Sequence, residues 1–127
     1  MILLTGGAGY IGSHTGLELI AAGFEILVLD NLSNSKLEAI HRTRKLANKH
    51  FEFIEGDIRD RQLLDKIFQQ YPITAVVHFA GLKAVGESVQ KPLYYYDNNV
   101  SGSVTLFEAM SAANIASGKY FFFCGKM

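Results

Sequence analysis

Cysteine occurs once in the 127 residues, at Cys124, so no internal disulfide framework can form and a reducing, cytoplasmic compartment is the simpler expectation. An excess of one charge is missing too. Twelve Lys and Arg balance twelve Asp and Glu, which leaves no basic field to hold a nucleic-acid backbone or an anionic membrane. No apolar run approaches the roughly 20 residues of a membrane span. The chain enters Thr5-Gly6-Gly7 directly after Met-Ile-Leu-Leu, too soon for a secretory leader. Internal repeats and low-complexity linkers are also lacking. What is present is 49% hydrophobic and 19% charged residues. That balance suits a folded core and excludes disorder, and the length is about that of one domain.

Apolar runs of strand length alternate with helical patterns. Residues 1–5 form the first run and lead into a glycine cluster. Residues 10–22 suit a helix that ends where Gly23 can take a left-handed cap. Residues 24–29, 51–55, 75–79 and 120–124 read as further strands. Helices are expected at about 36–47, 61–70 and 99–113. In the second of these, Leu63, Leu64, Ile67 and Phe68 form one apolar stripe. Residues between Gly81 and Gly86 read as loop. Alternation of this kind implies βαβ units with right-handed crossovers. The expected fold is therefore α/β, a doubly wound parallel sheet of Rossmann type with strand order 3-2-1-4-5.

The strongest local pattern is Thr5-Gly6-Gly7-Ala8-Gly9-Tyr10-Ile11-Gly12. Its glycines can be framed from Gly6 or from Gly7, and both frames lie between a strand and a helix. Such a turn lets backbone approach a pyrophosphate, and the helix N-terminus offers unpaired N–H groups to it. Asp30 ends the second strand about 18 residues beyond Gly12. A carboxylate there accepts hydrogen bonds from a ribose diol and repels a 2′-phosphate, which favours NAD over NADP. Asp57 is either an adenine contact or a turn residue after Gly56. Phe79-Ala80-Gly81 ends the fourth strand beside the point where doubly wound sheets bind ligands, and its small residues let a cofactor lie against backbone. Lys83 then either meets a ribose or pyrophosphate or is a solvated lysine. His78, inside an apolar strand, is expected to be a satisfied core histidine. His14, His41 and His50 have no partners at metal-ligand spacing, so no metal is expected. Tyr94-Tyr95-Tyr96 suit packing at a helix start better than a nucleotide platform. Of Asn98 and Asn99, one is expected to cap the following helix and one to face the cofactor.

The glycine loop, together with residues 30–35 and Gly56-Asp57-Ile58-Arg59, resembles the extended short-chain dehydrogenase/reductase family. The stretch from His78 through Lys83, Glu87 and Pro92 to Asn98-Asn99-Val100 resembles its UDP-glucose 4-epimerase branch in particular. The resemblance covers residues 1 to about 115. It implies NAD contacts at Gly6, Gly9, Tyr10, Ile11 and Gly12 for the pyrophosphate. It implies Asp30, Asn31, Leu32, Ser33, Asn34 and Ser35 around the adenosine ribose, with Asp57 and Ile58 at adenine. Phe79, Ala80, Gly81, Leu82 and Lys83 then line the nicotinamide-ribose side, with Asn98 as a further contact. The residues from Lys83 to Val85 also border the sugar in that family. The implied reaction interconverts UDP-galactose and UDP-glucose through a 4-keto sugar, with a tyrosine as base and NAD retained. A homodimer is implied as well.

The resemblance also implies a serine-rich segment, a Tyr-x-x-x-Lys motif and a sugar-binding region, and none is found. Residue 124 is Cys after Tyr120, and residue 75 is Ala after Tyr71. The catalytic Ser, Tyr and Lys therefore fall on no residue of this sequence. Ala116-Ser117-Gly118 and the tail to Met127 depart from the family pattern. The expectation is an incomplete NAD-binding domain, residues 1–127, truncated after about five strands and without its sugar-binding region.

Overall fold

A computed structural model describes residues 1–115 and the backbone strand Tyr120–Phe122. The departures read at 116–118 and in the tail from residue 123 lie outside the described residues. Five parallel strands, β1 (Ile2–Thr5), β2 (Ile26–Asp30), β3 (Glu52–Glu55), β4 (Ala75–His78) and β5 (Tyr120–Phe122), form one sheet in the order β3-β2-β1-β4-β5. This is the doubly wound order expected from the alternation of patterns. Register is direct in the centre, where Leu3 lies between Leu27 and Val76 and Leu4 lies between Val28 and Val77.

Adjacent strand residues point to opposite faces, and the core divides accordingly. Leu4, Ile26 and Val28 pack with Ile20 and Ile40 beneath α1 (Tyr10–Ala21) and α2 (Leu37–Ala47). Leu3, Leu27, Leu29 and Val76 pack with Leu64, Ile67, Leu106 and Met110 on the other face. Those last four belong to α3 (Arg61–Gln70) and α6 (Gly102–Ala112). Both faces of the central strands are thus covered, which is why β2 reads as an unbroken apolar run. The stops are those the sequence suggests. Gly23 adopts φ +89° after α1, and Asp60 caps α3 by accepting from the Leu63 N–H.

Two elements after β4 differ from expectation. The loop expected between Gly81 and Gly86 ends sooner: residues 85–90 form a short helix α4 (Val85–Gln90), with the Ser88 side chain bonded back to the Val85 carbonyl. The helix expected from residue 99 starts earlier. Pro92 opens α5 (Pro92–Tyr96), which continues through a π-helical turn, Asp97–Ser101, into α6. Proline suits that first helical position because it lacks an N–H that would be orphaned there. Neither Asn98 nor Asn99 is a helix cap, since both sit inside this turn.

His78 is 2% exposed. Ser103 Oγ donates its one proton to the Asn99 carbonyl at 2.6 Å, so His78 Nε2 donates to Ser103 Oγ at 3.2 Å. The other ring nitrogen, Nδ1, then accepts from the Thr5 hydroxyl. The ring is neutral and spans the sheet face from β1 to α6. Burial, with a smaller contribution from the Lys83 charge, lowers its pKa from 6.5 to about 4.

Because the unfolded chain binds this proton more readily, the contribution is fully present above pH 6.5 and is lost as pH falls towards 4. The shift corresponds to about 3 kcal/mol across that window. The other three histidines are exposed. Urea unfolding at steps from pH 7.5 to 4.5 should show a falling midpoint, with the slope reduced in His78→Gln; an equal slope in the two proteins would refute the assignment.

Candidate functional site

The carboxyl ends of β1, β2 and β4 open into a cavity of about 700 Å³. It lies where β1 hands the chain to one face of the sheet and β4 to the other, the switch point of a doubly wound sheet. Its size is that of a pocket for a cofactor-sized ligand.

The floor is the glycine loop. Gly6 takes φ +69°, and a Cβ on it would stand 2.6 Å from the Phe79 carbonyl carbon and the Ala80 nitrogen. A Cβ on Gly12 would stand 2.3 Å from the Gly6 carbonyl oxygen. Gly6, Gly9 and Gly12 line the cavity with Tyr10 and Ile11, whereas Gly7 does not and faces Val28 and Leu4 instead. Gly9 precedes the first turn of α1 and offers no side-chain cap. The N–H groups of Tyr10, Ile11 and Gly12 have no intrahelical partner, so they remain available to an anion at the positive end of the helix.

Asp30 forms the next wall and is 7% exposed. One carboxylate oxygen accepts from the Ala8 N–H at 2.9 Å. The other accepts from the Leu32 N–H at 2.9 Å and the Ser35 hydroxyl at 2.8 Å. It thereby folds the polar loop back over the end of β2. Asn31, Ser33, Asn34 and Ser35 line the cavity. Leu32 does not. Held at φ 55°, its side chain packs against the core under α1 and α2.

Asp57 is likewise absent from the lining, whereas its neighbours Gly56 and Ile58 are part of it. The carboxylate is taken by Arg59, through Nε at 2.9 Å and Nη2 at 2.8 Å, and by Asn31 Nδ2 at 2.9 Å. The Arg59 bonds, opposed by burial, hold its pKa at about 2, against an ordinary 3.8. Arg59 Nη1 also reaches Asp97 at 2.7 Å, and Asp57 and Asp97 together raise the guanidinium pKa further.

Phe79, Ala80, Gly81, Leu82 and Lys83 form the opposite wall, and Asn98 closes it, 3% exposed. Asn98 Nδ2 donates to the Ala80 carbonyl at 2.9 Å. Lys83 makes no ion pair among the described residues. None of the tyrosine triplet lines the cavity, and only one of the three packs inside: Tyr95 is buried with its hydroxyl on Glu87 at 2.9 Å, the Tyr94 ring lies beside Arg59, and Tyr96 is exposed.

Of the residues expected to contact NAD, all but Leu32 and Asp57 converge on one cavity; of the two further residues expected to border the sugar, Ala84 lines it and Val85 does not. Leu29 and Gly56 line it without having been expected to contact NAD, and Ala84 without having been assigned to the cofactor. Each is the immediate neighbour of a residue that was, so a window widened by one position at each strand end would have found them.

Residues 3–125 match the sequence profile of the GDP-mannose 4,6 dehydratase family. The chain belongs to that family. Within it, a UDP-glucose 4-epimerase of Cyamopsis tetragonoloba is 58% identical over 114 residues, covering 87% of this chain and 33% of the relative. A UDP-glucose 4-epimerase of Yersinia pestis is also 58% identical over 114 residues, covering 90% of this chain and 34% of the relative. The solved UDP-glucose 4-epimerase of Bifidobacterium longum, in complex with NAD+ and UDP, superposes with a TM-score of 0.91 at 42% identity. It is covered to 36% by 95% of this chain. The chain thus spans about a third of the length of the curated relatives it matches.

The contact of Gly6 with the end of β4 can be separated from its backbone angle. Gly6→Ala meets both, and should cost about 3 kcal/mol or more; Gly23→Ala meets only a positive φ, with open space around it, and should cost about 1 kcal/mol. Denaturant midpoints would measure the two losses, and equal values would contradict the close approach.

Proposed function

We propose that residues 1–127 are the NAD-binding domain of a cytoplasmic UDP-glucose 4-epimerase that interconverts UDP-galactose and UDP-glucose. The observation that carries the reading is the joining of a Cβ-free glycine floor, a buried carboxylate at the end of β2 and a backbone wall after β4 in one cavity. These residues suit NAD. The free N–H groups at Tyr10 to Gly12 meet the pyrophosphate, and Asp30 accepts from the adenosine ribose. Ile58, with Asp57 behind it, borders adenine. Residues 79–83 and Asn98 receive the nicotinamide ribose, with Lys83 supplying a positive charge. NAD held there would supply a reversible hydride acceptor for the sugar C4. The Tyr-x-x-x-Lys pair that would move the hydroxyl proton falls on no residue of these 127.

Calorimetry on the full chain should show NAD binding, with NADP at least about tenfold weaker because its 2′-phosphate faces Asp30. Activity is tested by a chimera in which residues 1–115 replace the matching third of the Yersinia pestis epimerase. Turnover of UDP-galactose with NAD retained is expected. A folded chimera that binds UDP-galactose but neither holds NAD nor turns over would refute the reading.

We further propose a homodimer. Leu93, Tyr96, Val100, Val104 and Phe107 recur every three or four residues through α5, the π turn and α6, and all are exposed, Leu93 to 82%. Val85 and Val89 of α4 are also exposed, each to 78%. A row of exposed apolar side chains on a chain of zero net charge suits a self-complementary two-fold contact. Sedimentation should give a dimer that becomes a monomer in the double variant Leu93→Lys, Val100→Lys. A monomeric parent chain would overturn this.

A further inference from the structure

We infer that Asn99 is a positioning residue, whose side-chain amide clamps the Leu82 backbone and so sets the shape of the wall formed by residues 80–83. The inference rests on the dinucleotide reading of the cavity and names a residue that does not itself line it.

The wall belongs to no strand or helix, so its polar backbone groups need partners from elsewhere. Leu82 is 8% exposed, and both of its backbone polar groups go to one side chain. The Leu82 N–H donates to Asn99 Oδ1 at 2.7 Å, and Asn99 Nδ2 donates to the Leu82 carbonyl at 2.8 Å. An asparagine amide carries donor and acceptor side by side, the complement of one residue's N–H and C=O. Asn98 Nδ2 also donates to Asn99 Oδ1 at 2.9 Å. Two donors converge on that atom, which fixes it as the oxygen and fixes the amide's orientation.

The clamp is anchored at its other end. The Asn99 carbonyl accepts from Ser103 Oγ, which accepts from His78 at the end of β4. From His78 the chain runs directly into residues 79–83, so β4, Ser103, Asn99 and Leu82 form a closed ring of bonds around the base of the wall. The π-helical turn makes this possible. It widens the helix at residues 97–101 so that consecutive residues serve different partners: Asp97 meets Arg59, Asn98 meets Ala80 and Asn99 meets Leu82. Single π turns of this kind recur at functional sites.

Removing the clamp strands two buried backbone groups and frees the nicotinamide side of the cavity. The adenosine side, built from residues 30–35 and 56–58, keeps its own bonds. The test uses the full chain as wild type, Asn99→Leu and Asn99→Asp, with three measurements. In the ligand-free chain, Leu82 amide exchange should rise at least about tenfold in Asn99→Leu. It should rise less in Asn99→Asp, which keeps the acceptor. NAD affinity should fall about tenfold or more in Asn99→Leu, while AMP, which occupies only the adenosine side, stays within about twofold. Equal losses for NAD and AMP would indicate a general structural role and overturn the proposal, as would unchanged Leu82 exchange. If Asn99→Leu does not fold, Asn99→Asp carries the same comparison. Failure of the wild-type chain to bind NAD would instead sink the dinucleotide reading, and the exchange measurement would still judge the clamp.

Discussion

The site depends on a contact between two pieces of backbone. Where β1 ends, Gly6 comes so near the Phe79–Ala80 peptide that no side-chain carbon fits between them. Two central strands of a parallel sheet lie about 4.8 Å apart, and beyond their ends the chains must part towards opposite faces. Here they part only after touching, so the crevice between them is floored by backbone. Phe79 N–H donates to the Thr5 carbonyl, and Gly6 N–H donates to the Leu29 carbonyl, which carries the ladder to the lip of the crevice. The cavity is the continuation of the sheet's own hydrogen bonding past the point where side chains could fill it.

Behind that lip, the sheet face is cross-linked by a polar chain where an apolar contact would be expected. Thr5, His78 and Ser103 satisfy one another in the interior and hand the last bond to the Asn99 carbonyl. An apolar residue at 78 would pack as well, but it would leave the helix free to rotate or slide on the sheet, since apolar contact is non-directional. Hydrogen bonds specify a register. Through Ser103 that register is passed to the π turn, and through the π turn to Asn98 and Asn99. A buried, neutral histidine far from bulk water thus aligns two asparagines at the edge of the cavity.

Much of this was legible in the sequence and some of it was not, for physical reasons that differ by residue. The strand order follows from apolar runs covered on both faces, such as Ile26–Asp30, because burial on two sides leaves no polar positions to blur the pattern. Gly6 and Gly12 are legible because a Cβ-free approach to backbone admits no other residue there. Asp57 shows the opposite case. A carboxylate after a strand has the same appearance whether it meets a ligand or an arginine, and Arg59, two residues on, claims it. Leu32 sits among cavity residues in sequence, but the turn closed by Asp30 rotates it into the core. The π turn left no trace. Its residues, Asp97-Asn98-Asn99-Val100-Ser101, are polar but for Val100, so they carry no apolar stripe whose shift would mark the extra residue, and only the divergent partners of Asp97, Asn98 and Asn99 reveal it.

Asp30 carries the tension in this design. An ionised carboxylate has about four lone-pair sites, and three are engaged by Ala8, Leu32 and Ser35. Two of those bonds come from backbone and hold the glycine loop and the polar loop in place. The third comes from a hydroxyl, which can turn away without moving the chain. A ribose diol in the proposed role needs two acceptor sites. One is open, and the second becomes available when Ser35 rotates. The same carboxylate therefore builds the pocket in the absence of ligand and still has capacity to recognise one. A residue with fewer acceptor sites, such as asparagine, would have to give up one of those tasks.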